Sequence, residues 1–126
     1  MNLSFIFLSA IVLSDRKKLK LFLKDIIKNE KRSFGYLNII FCSDAYLLEI
    51  NKEYLNHHFY TDIITFDLRS KNTKKIEGEI YISTERVKEN AVNFKSTIKE
   101  EIHRVIFHGV LHLCGYKDKT STDKIL

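Results

Sequence analysis

Short apolar runs rich in β-branched and aromatic residues alternate with amphipathic segments, and this alternation limits the possible folds more than any other feature. Between residues 15 and 29, apolar side chains recur every three or four positions, as in a helix with one buried face. We predict further helices at 43–55 and at 84–114, the latter with a break near 93–97, and strands at 4–13, 36–42, 61–68 and 78–83. This order predicts an α+β fold, with helices packed on a small mixed four-stranded sheet whose third and fourth strands form a hairpin.

Size and charge limit the function. The chain has 126 residues, enough for a single domain spanning residues 1–126. Hydrophobic residues make up 44% and charged residues 29%, which excludes a disordered chain and a small disulfide scaffold. The formal net charge of +5 and a pI near 9.2 favour anionic partners, first of all nucleic acid.

The cysteines and the apolar runs predict a cytoplasmic location. Cys42 and Cys114 form no C-x-x-C motif, which indicates reduced thiols. No apolar run reaches the roughly 18 residues that a membrane span needs. The apolar N-terminal stretch has no basic segment before it, so we expect a buried strand there rather than a signal peptide.

The segment around His108 and His112 carries the chemistry that the sequence suggests. Four residues separate the two histidines on a predicted helix, which places them on one face and one turn apart. Gly115 follows where a left-handed residue ends many helices, and such a turn would bring Asp118 back toward the histidines. Two imidazoles and one carboxylate leave a tetrahedral zinc ion with one open position, which suits hydrolysis because the metal lowers the pKa of bound water to about 7.

Two other interpretations of the histidine pair stay open at this point. A pair at this spacing also occurs where both side chains serve only packing or lie at the surface. A zinc peptidase would have glutamate directly after the first histidine as general base, and here that position is Gly109. The pattern therefore argues against a peptidase.

Three motifs in order resemble the YbeY family, which is described as zinc-dependent endoribonucleases that mature rRNA. HGVLHLCGY at 108–116 is similar to the family signature His-Gly-x-Leu-His-Leu-x-Gly-Tyr-Asp-His. Leu55 and Asn56, followed by TDIITF at 61–66, resemble its Leu-Asn and Thr-Asp-Val-Leu-Ser-Phe elements. EGEIYIS at 77–83 resembles its Gly-Asp-Ile-x-Ile-Ser strand.

The resemblance implies one Zn²⁺ ion, held on the C-terminal helix and the turn that follows it. The family's first two metal ligands fall on His108 and His112. The third, a histidine in the family, falls on Asp118, with Lys117 in place of the preceding aspartate. Aspartate is a competent zinc ligand, so we expect the site to be kept.

The sequence departs from the family pattern in two places, at the residue that would bind an RNA phosphate and at the C-terminal end. The family's arginine between the Leu-Asn and Thr-Asp elements is absent, and the shorter stretch here contains His57 and His58. Either histidine is a candidate to replace the arginine, although histidines in a loop also occur without any function. Arg104, one turn before His108, is another candidate, although an arginine there also suits a surface ion pair. Beyond a metal-bound water, the sequence assigns no other catalytic group. The family continues further past the metal motif, so we expect a chain truncated at its C-terminus.

The resemblance implies a single-strand-specific endoribonuclease with rRNA and ribosomal components as partners and no membrane. It implies action at the 3′ end of the small-subunit rRNA and in ribosome quality control. Two alternatives remain. One is a non-catalytic RNA- or ribosome-binding assembly factor with a structural metal, and the other is a metal-dependent hydrolase of another substrate.

Overall fold

The computed structural model describes residues 2–70 and 72–116, and these form eight elements in the predicted order. The elements are β1 (Asn2–Phe7), α1 (Arg16–Asn29), β2 (Ser33–Cys42), α2 (Asp44–Leu55), β3 (Ile63–Asp67), β4 (Lys75–Ser83), α3 (Thr84–Asn93) and α4 (Ile98–Leu113). The expected α+β class is confirmed. Within the described residues, no helix has the length and apolar character needed to cross a membrane.

The four strands form one mixed sheet in the order β1-β2-β4-β3. β1 pairs with β2 and β2 with β4 in parallel, whereas β3 pairs with β4 antiparallel. The predicted hairpin of the third and fourth strands is confirmed, with Ile63 opposite Ile82. Since β1 and β2 are joined through α1, and β2 and β4 are neighbours despite the intervening α2 and β3, the parallel pairs come from crossover connections.

The sheet separates two apolar clusters. The larger cluster lies under α1, α3 and α4 and includes Leu23, Val87 and Ile106. The smaller cluster lies under α2 and joins Leu47 to Ile64 of β3. Successive strand residues point to opposite faces, so each central strand contributes to both clusters. One face of the sheet therefore carries three helices, and the other carries α2 alone.

The first strand is shorter than its apolar run predicts. β1 ends at Phe7 because the backbone N–H groups of Leu8 and Ser9 both donate to the carbonyl oxygen of Phe41, at 2.8 and 3.1 Å. The chain leaves the sheet there, yet Leu13 is only 6% exposed and packs into the larger cluster from the connecting loop. Leu8 and Val12 are 56% and 84% exposed, and in β1 only Leu3 is buried, so the expected buried strand at 4–13 is wrong both in its length and in its burial.

The predicted break between the last two helices is confirmed, since α3 ends at Asn93 and α4 begins at Ile98. Lys95 takes a positive φ of 54° in the connection. Thr97 then starts α4 with a capping box, in which its hydroxyl accepts from the Glu100 N–H and the Glu100 carboxylate accepts from the Thr97 N–H. The connection between the end of α3 and the capped start of α4 determines the direction of α4, which carries both histidines.

Candidate active site

His108 and His112 lie on successive turns of α4, with ring centroids 4.4 Å apart and 38° between the ring planes. His112 is 7% exposed and His108 is half-buried. The structure therefore brings the two predicted ligands together on one face of the helix. That they bind zinc stays a prediction.

Gly109 lets α4 approach the sheet closely beside the histidines. A Cβ atom at Gly109 would come within 2.9 Å of Ile80 Cδ1 and 3.0 Å of Ile63 Cδ1. The same position in a zinc peptidase holds the general base, which would have no room here. Close packing against β3 and β4 thus explains the glycine and fixes the height of the histidine pair relative to the sheet.

The end of α4 forms the predicted left-handed glycine turn. Gly115 has a φ of +107°, its N–H donates to the His112 carbonyl at 3.0 Å, and the Tyr116 N–H donates to the Leu111 carbonyl at 3.1 Å. These two bonds make a Schellman motif, which reverses the chain direction after the helix. Asp118 and Lys117 follow this turn but lie outside the described residues, so the third-ligand prediction stays untested.

Arg32, which the sequence analysis did not single out, ties the end of α4 to the sheet. Its Nη1 donates to the Cys114 carbonyl at 2.9 Å, and its Nε donates to the Lys74 carbonyl at 2.8 Å. A cation at the carboxyl end of a helix interacts favourably with the helix dipole. Arg32 therefore holds the turn after the histidines against the chain that leads into β4.

Arg104 lies one turn before His108 and is held in an ion pair. Its Nε and Nη2 donate to the two carboxylate oxygens of Glu101, at 2.8 and 2.6 Å, and Nη2 lies 3.5 Å from Asp62 Oδ2. Glu101 is 2% exposed, whereas the Arg104 side chain is 50% exposed. Hydrogen bonding to Glu101 raises the pKa of Arg104, so its charge is constant. The arginine is thus both anchored by a buried carboxylate and partly open to solvent.

The network around Arg104 joins α4 to α3 and to the chain just before β3, which sequence spacing does not reveal. Asn90 of α3 donates through Nδ2 to both Asp62 and Glu101, at 3.4 Å each. Glu101 had a local signal, because it precedes Arg104 by three residues on one helix. Asp62 and Asn90 are far away in sequence and had no such signal.

Contacts with Asn51 of α2 hold the loop that contains His57 and His58. The His57 ring stacks on Phe59 at 5.0 Å, and the backbone N–H of His57 donates to the Asn51 carbonyl at 3.1 Å. The Asn51 Nδ2 donates in turn to the Phe59 carbonyl at 2.8 Å. These contacts give His57 a structural role, and the structure does not group His57 or His58 with the predicted ligands.

The described residues supply two of the three protein ligands that the predicted zinc site needs. Within residues 2–70 and 72–116, no group of three His, Cys, Asp or Glu side chains is close enough together to hold a metal ion. The pair on α4 supplies two imidazoles, which are common zinc ligands. A third protein ligand would have to come from the chain after Tyr116.

Comparison with known proteins places the chain in a family. The family model described as endoribonuclease YbeY matches residues 10–126. The endoribonuclease YbeY of Cytophaga hutchinsonii is 54% identical over 112 residues, which cover 89% of this chain and 78% of the relative. That of Christiangramia forsetii is 47% identical over 115 residues, covering 91% of this chain and 79% of the relative.

A solved structure shares the fold. The solution structure of TM1509 from Thermotoga maritima superposes with a TM-score of 0.62 at 29% identity, covering 98% of this chain and 79% of that protein. The matched residues 10–126 include the histidine pair, the glycine turn and the β3–β4 hairpin described above. The chain belongs to the endoribonuclease YbeY family.

Proposed function

We propose that this chain is a zinc-dependent, single-strand-specific endoribonuclease that acts in the cytoplasm on rRNA. We infer that its substrate is the 3′ end of the small-subunit rRNA, that it serves ribosome quality control, and that ribosomal components are its partners. Membership in a family named for endoribonuclease activity supports the reaction class. The single observation that carries the site is the close pair of imidazoles on α4 in a chain of that family.

In this proposal His108 and His112 hold the zinc ion, and Asp118 completes the protein ligands. A bound zinc ion supplies Lewis acidity, which stabilises charge that develops on a phosphodiester, and lowers the pKa of water. The burial of His112 keeps its imidazole in one orientation, and Gly109 keeps α4 seated on the sheet. The helix thus places the two rings side by side, with centroids 4.4 Å apart.

We assign phosphate binding to Arg104. Its guanidinium uses Nε and Nη2 for Glu101, and the side chain is 50% exposed to solvent. A guanidinium anchored on one edge loses little side-chain entropy when the other edge binds a phosphate oxygen. The net charge of +5 favours the approach of RNA at low salt.

Cleavage of labelled RNA with and without a chelator tests the proposal. We expect the purified chain to cut a single-stranded RNA, to leave a matched duplex intact and to lose activity on chelation until Zn²⁺ is restored. His112→Ala should abolish cleavage, whereas His103→Ala on the same helix is the matched control that keeps it. Cleavage that ignores both chelator and His112→Ala would indicate a contaminating nuclease. RNA binding without cleavage would favour the assembly-factor alternative.

A further inference from the structure

A cavity of about 420 Å³ lies on the sheet face that α2 covers, away from the histidine pair. Phe66 of β3 and Tyr81 of β4 line it and pack with the cluster under α2. α4 instead packs on Ile80, the neighbour of Tyr81, which points to the other face. The cavity is therefore separate from the candidate active site and has no role in the proposed reaction.

Four aromatic rings form a continuous row along this cavity. Tyr46 stacks with Tyr81 at 6.5 Å, Tyr81 meets Phe66 edge-on at 5.6 Å, and Phe66 meets Tyr54 edge-on at 5.6 Å. Tyr46 is 45% and Tyr54 60% exposed, so the row opens to solvent at the α2 side. Exposed rings in a row offer several π faces to one ligand.

Three carboxylates line the same cavity, namely those of Glu49 and Glu53 on α2 and of Glu79 on β4. Glu79 is held in place, because its Oε1 accepts from the Tyr81 hydroxyl at 3.1 Å and its Oε2 from Asn38 Nδ2 at 3.4 Å. Burial, and after it the charge of Glu79, raise the pKa of Tyr81.

The described residues that line the cavity include no Lys or Arg that would balance this negative charge. Lys52 reaches only the outer carboxylate, Glu49, at 3.6 Å, and both side chains are exposed. The cavity thus concentrates acidic charge in a chain whose net charge is +5. Phosphate groups of RNA are repelled by such a site, although aromatic rings alone would suit stacked bases.

Aromatic faces and carboxylates together attract a cation that carries an aliphatic stem. An ammonium or guanidinium over a tyrosine ring gains cation–π attraction, and an adjacent carboxylate adds a charge-assisted hydrogen bond. We propose that this cavity binds a lysine or arginine side chain of a basic segment in a partner protein. The partner docks on the α2 face while the α4 face stays open.

A binding experiment with a defined probe tests the proposal. The probe is a fluorescein-labelled, capped peptide of alternating glycine and arginine, and its matched analogue carries citrulline in place of arginine. We expect saturable binding of the arginine peptide at physiological salt and none of the analogue. The combined Glu49→Gln and Glu53→Gln variant should weaken binding by about fivefold or more, and Tyr54→Ala by a similar factor.

Asp25→Asn is the control, because it removes one exposed carboxylate from α1 and should change the affinity by less than about twofold. Thermal melts of each variant show that the fold is kept. Absence of saturable peptide binding up to millimolar concentration would overturn the proposal. Loss of oligouridine binding on Tyr54→Ala, with a gain on the glutamate substitutions, would also overturn it and make the face an RNA surface.

Discussion

The imidazole of His112 lies one helical turn from that of His108, and the two ring centroids are 4.4 Å apart on α4. The helix itself sets this separation, since residues four apart share a face. Gly109 and the Gly115 turn then determine where the pair sits relative to the sheet and to the following chain.

Removing either imidazole should abolish cleavage without unfolding the protein. We expect His108→Ala and His112→Ala each to lower the rate of single-stranded RNA cleavage by about 100-fold or more, because metal ligands matter at least as much as their outer partners. His103→Ala should stay within a few-fold of the parent rate. Rates measured with excess enzyme, together with thermal melts, check this. Full activity in either ligand variant would contradict the assignment.

Arg104 should serve both stability and cleavage, and these roles can be separated. Arg104→Gln leaves the buried Glu101 without its main partner and should cost about 1.5–3 kcal/mol of unfolding free energy. Adding Glu101→Gln removes the buried charge and should recover part of that stability. Urea unfolding of both single variants and the double variant measures the recovery.

Cleavage by the double variant then isolates the phosphate role of Arg104. We expect the rate to stay about tenfold or more below the parent even where stability is recovered, because no guanidinium faces the phosphate. A double variant that regains both stability and full activity would show that Arg104 is structural only.

Replacing Gly78 with alanine should destabilise the protein more than the same replacement at Gly109. A Cβ at Gly78 would clash with the Phe66 backbone carbonyl, which cannot move without breaking the hairpin. Gly78→Ala should therefore cost about 3 kcal/mol. Gly109→Ala meets only the ends of Ile63 and Ile80 and gains about 1 kcal/mol of helix propensity, so its cost should be smaller. Denaturant midpoints give the order, and the reverse order would contradict the packing described.

His103 should make the protein less stable in mild acid. Burial lowers its pKa, Lys99 lowers it further, and Asp15 opposes the shift. The folded chain therefore binds this proton less readily than the unfolded chain, and stability falls as the pH drops below the ordinary value of about 6.5. His103→Gln should reduce that loss between about pH 7.5 and about pH 5.5, as measured by urea unfolding. An unchanged pH dependence would exclude this role for His103.

The element order, the helix break and the glycine turn were predictable because each depends on local signals. Apolar spacing marks α4, and Gly115 marks its end. The end of β1 was not predictable, since it depends on two N–H groups that share the distant Phe41 carbonyl. An apolar residue can also be buried outside a strand, as Leu13 is in the loop after β1.

In the candidate site, too, the contacts within one helix were predictable and those between distant segments were not. The helical spacing alone brings His108 and His112 together, and it also places Glu101 beside Arg104. Asp62 and Asn90 join that network from segments that only the fold brings together. Asp62 and Asn90 are 28 residues apart, yet Asn90 Nδ2 of α3 donates to Asp62 Oδ2, just before β3, at 3.4 Å. Spacing on one helix predicts contacts within that helix, and it cannot predict a network across elements.

The zinc content of the protein purified without added metal tests the central claim most directly. We predict one zinc ion per chain by elemental analysis, and loss of that zinc in His108→Ala and His112→Ala but not in His103→Ala. A metal-free parent that cleaves single-stranded RNA at full rate, or zinc retained in full by both ligand variants, would contradict the account.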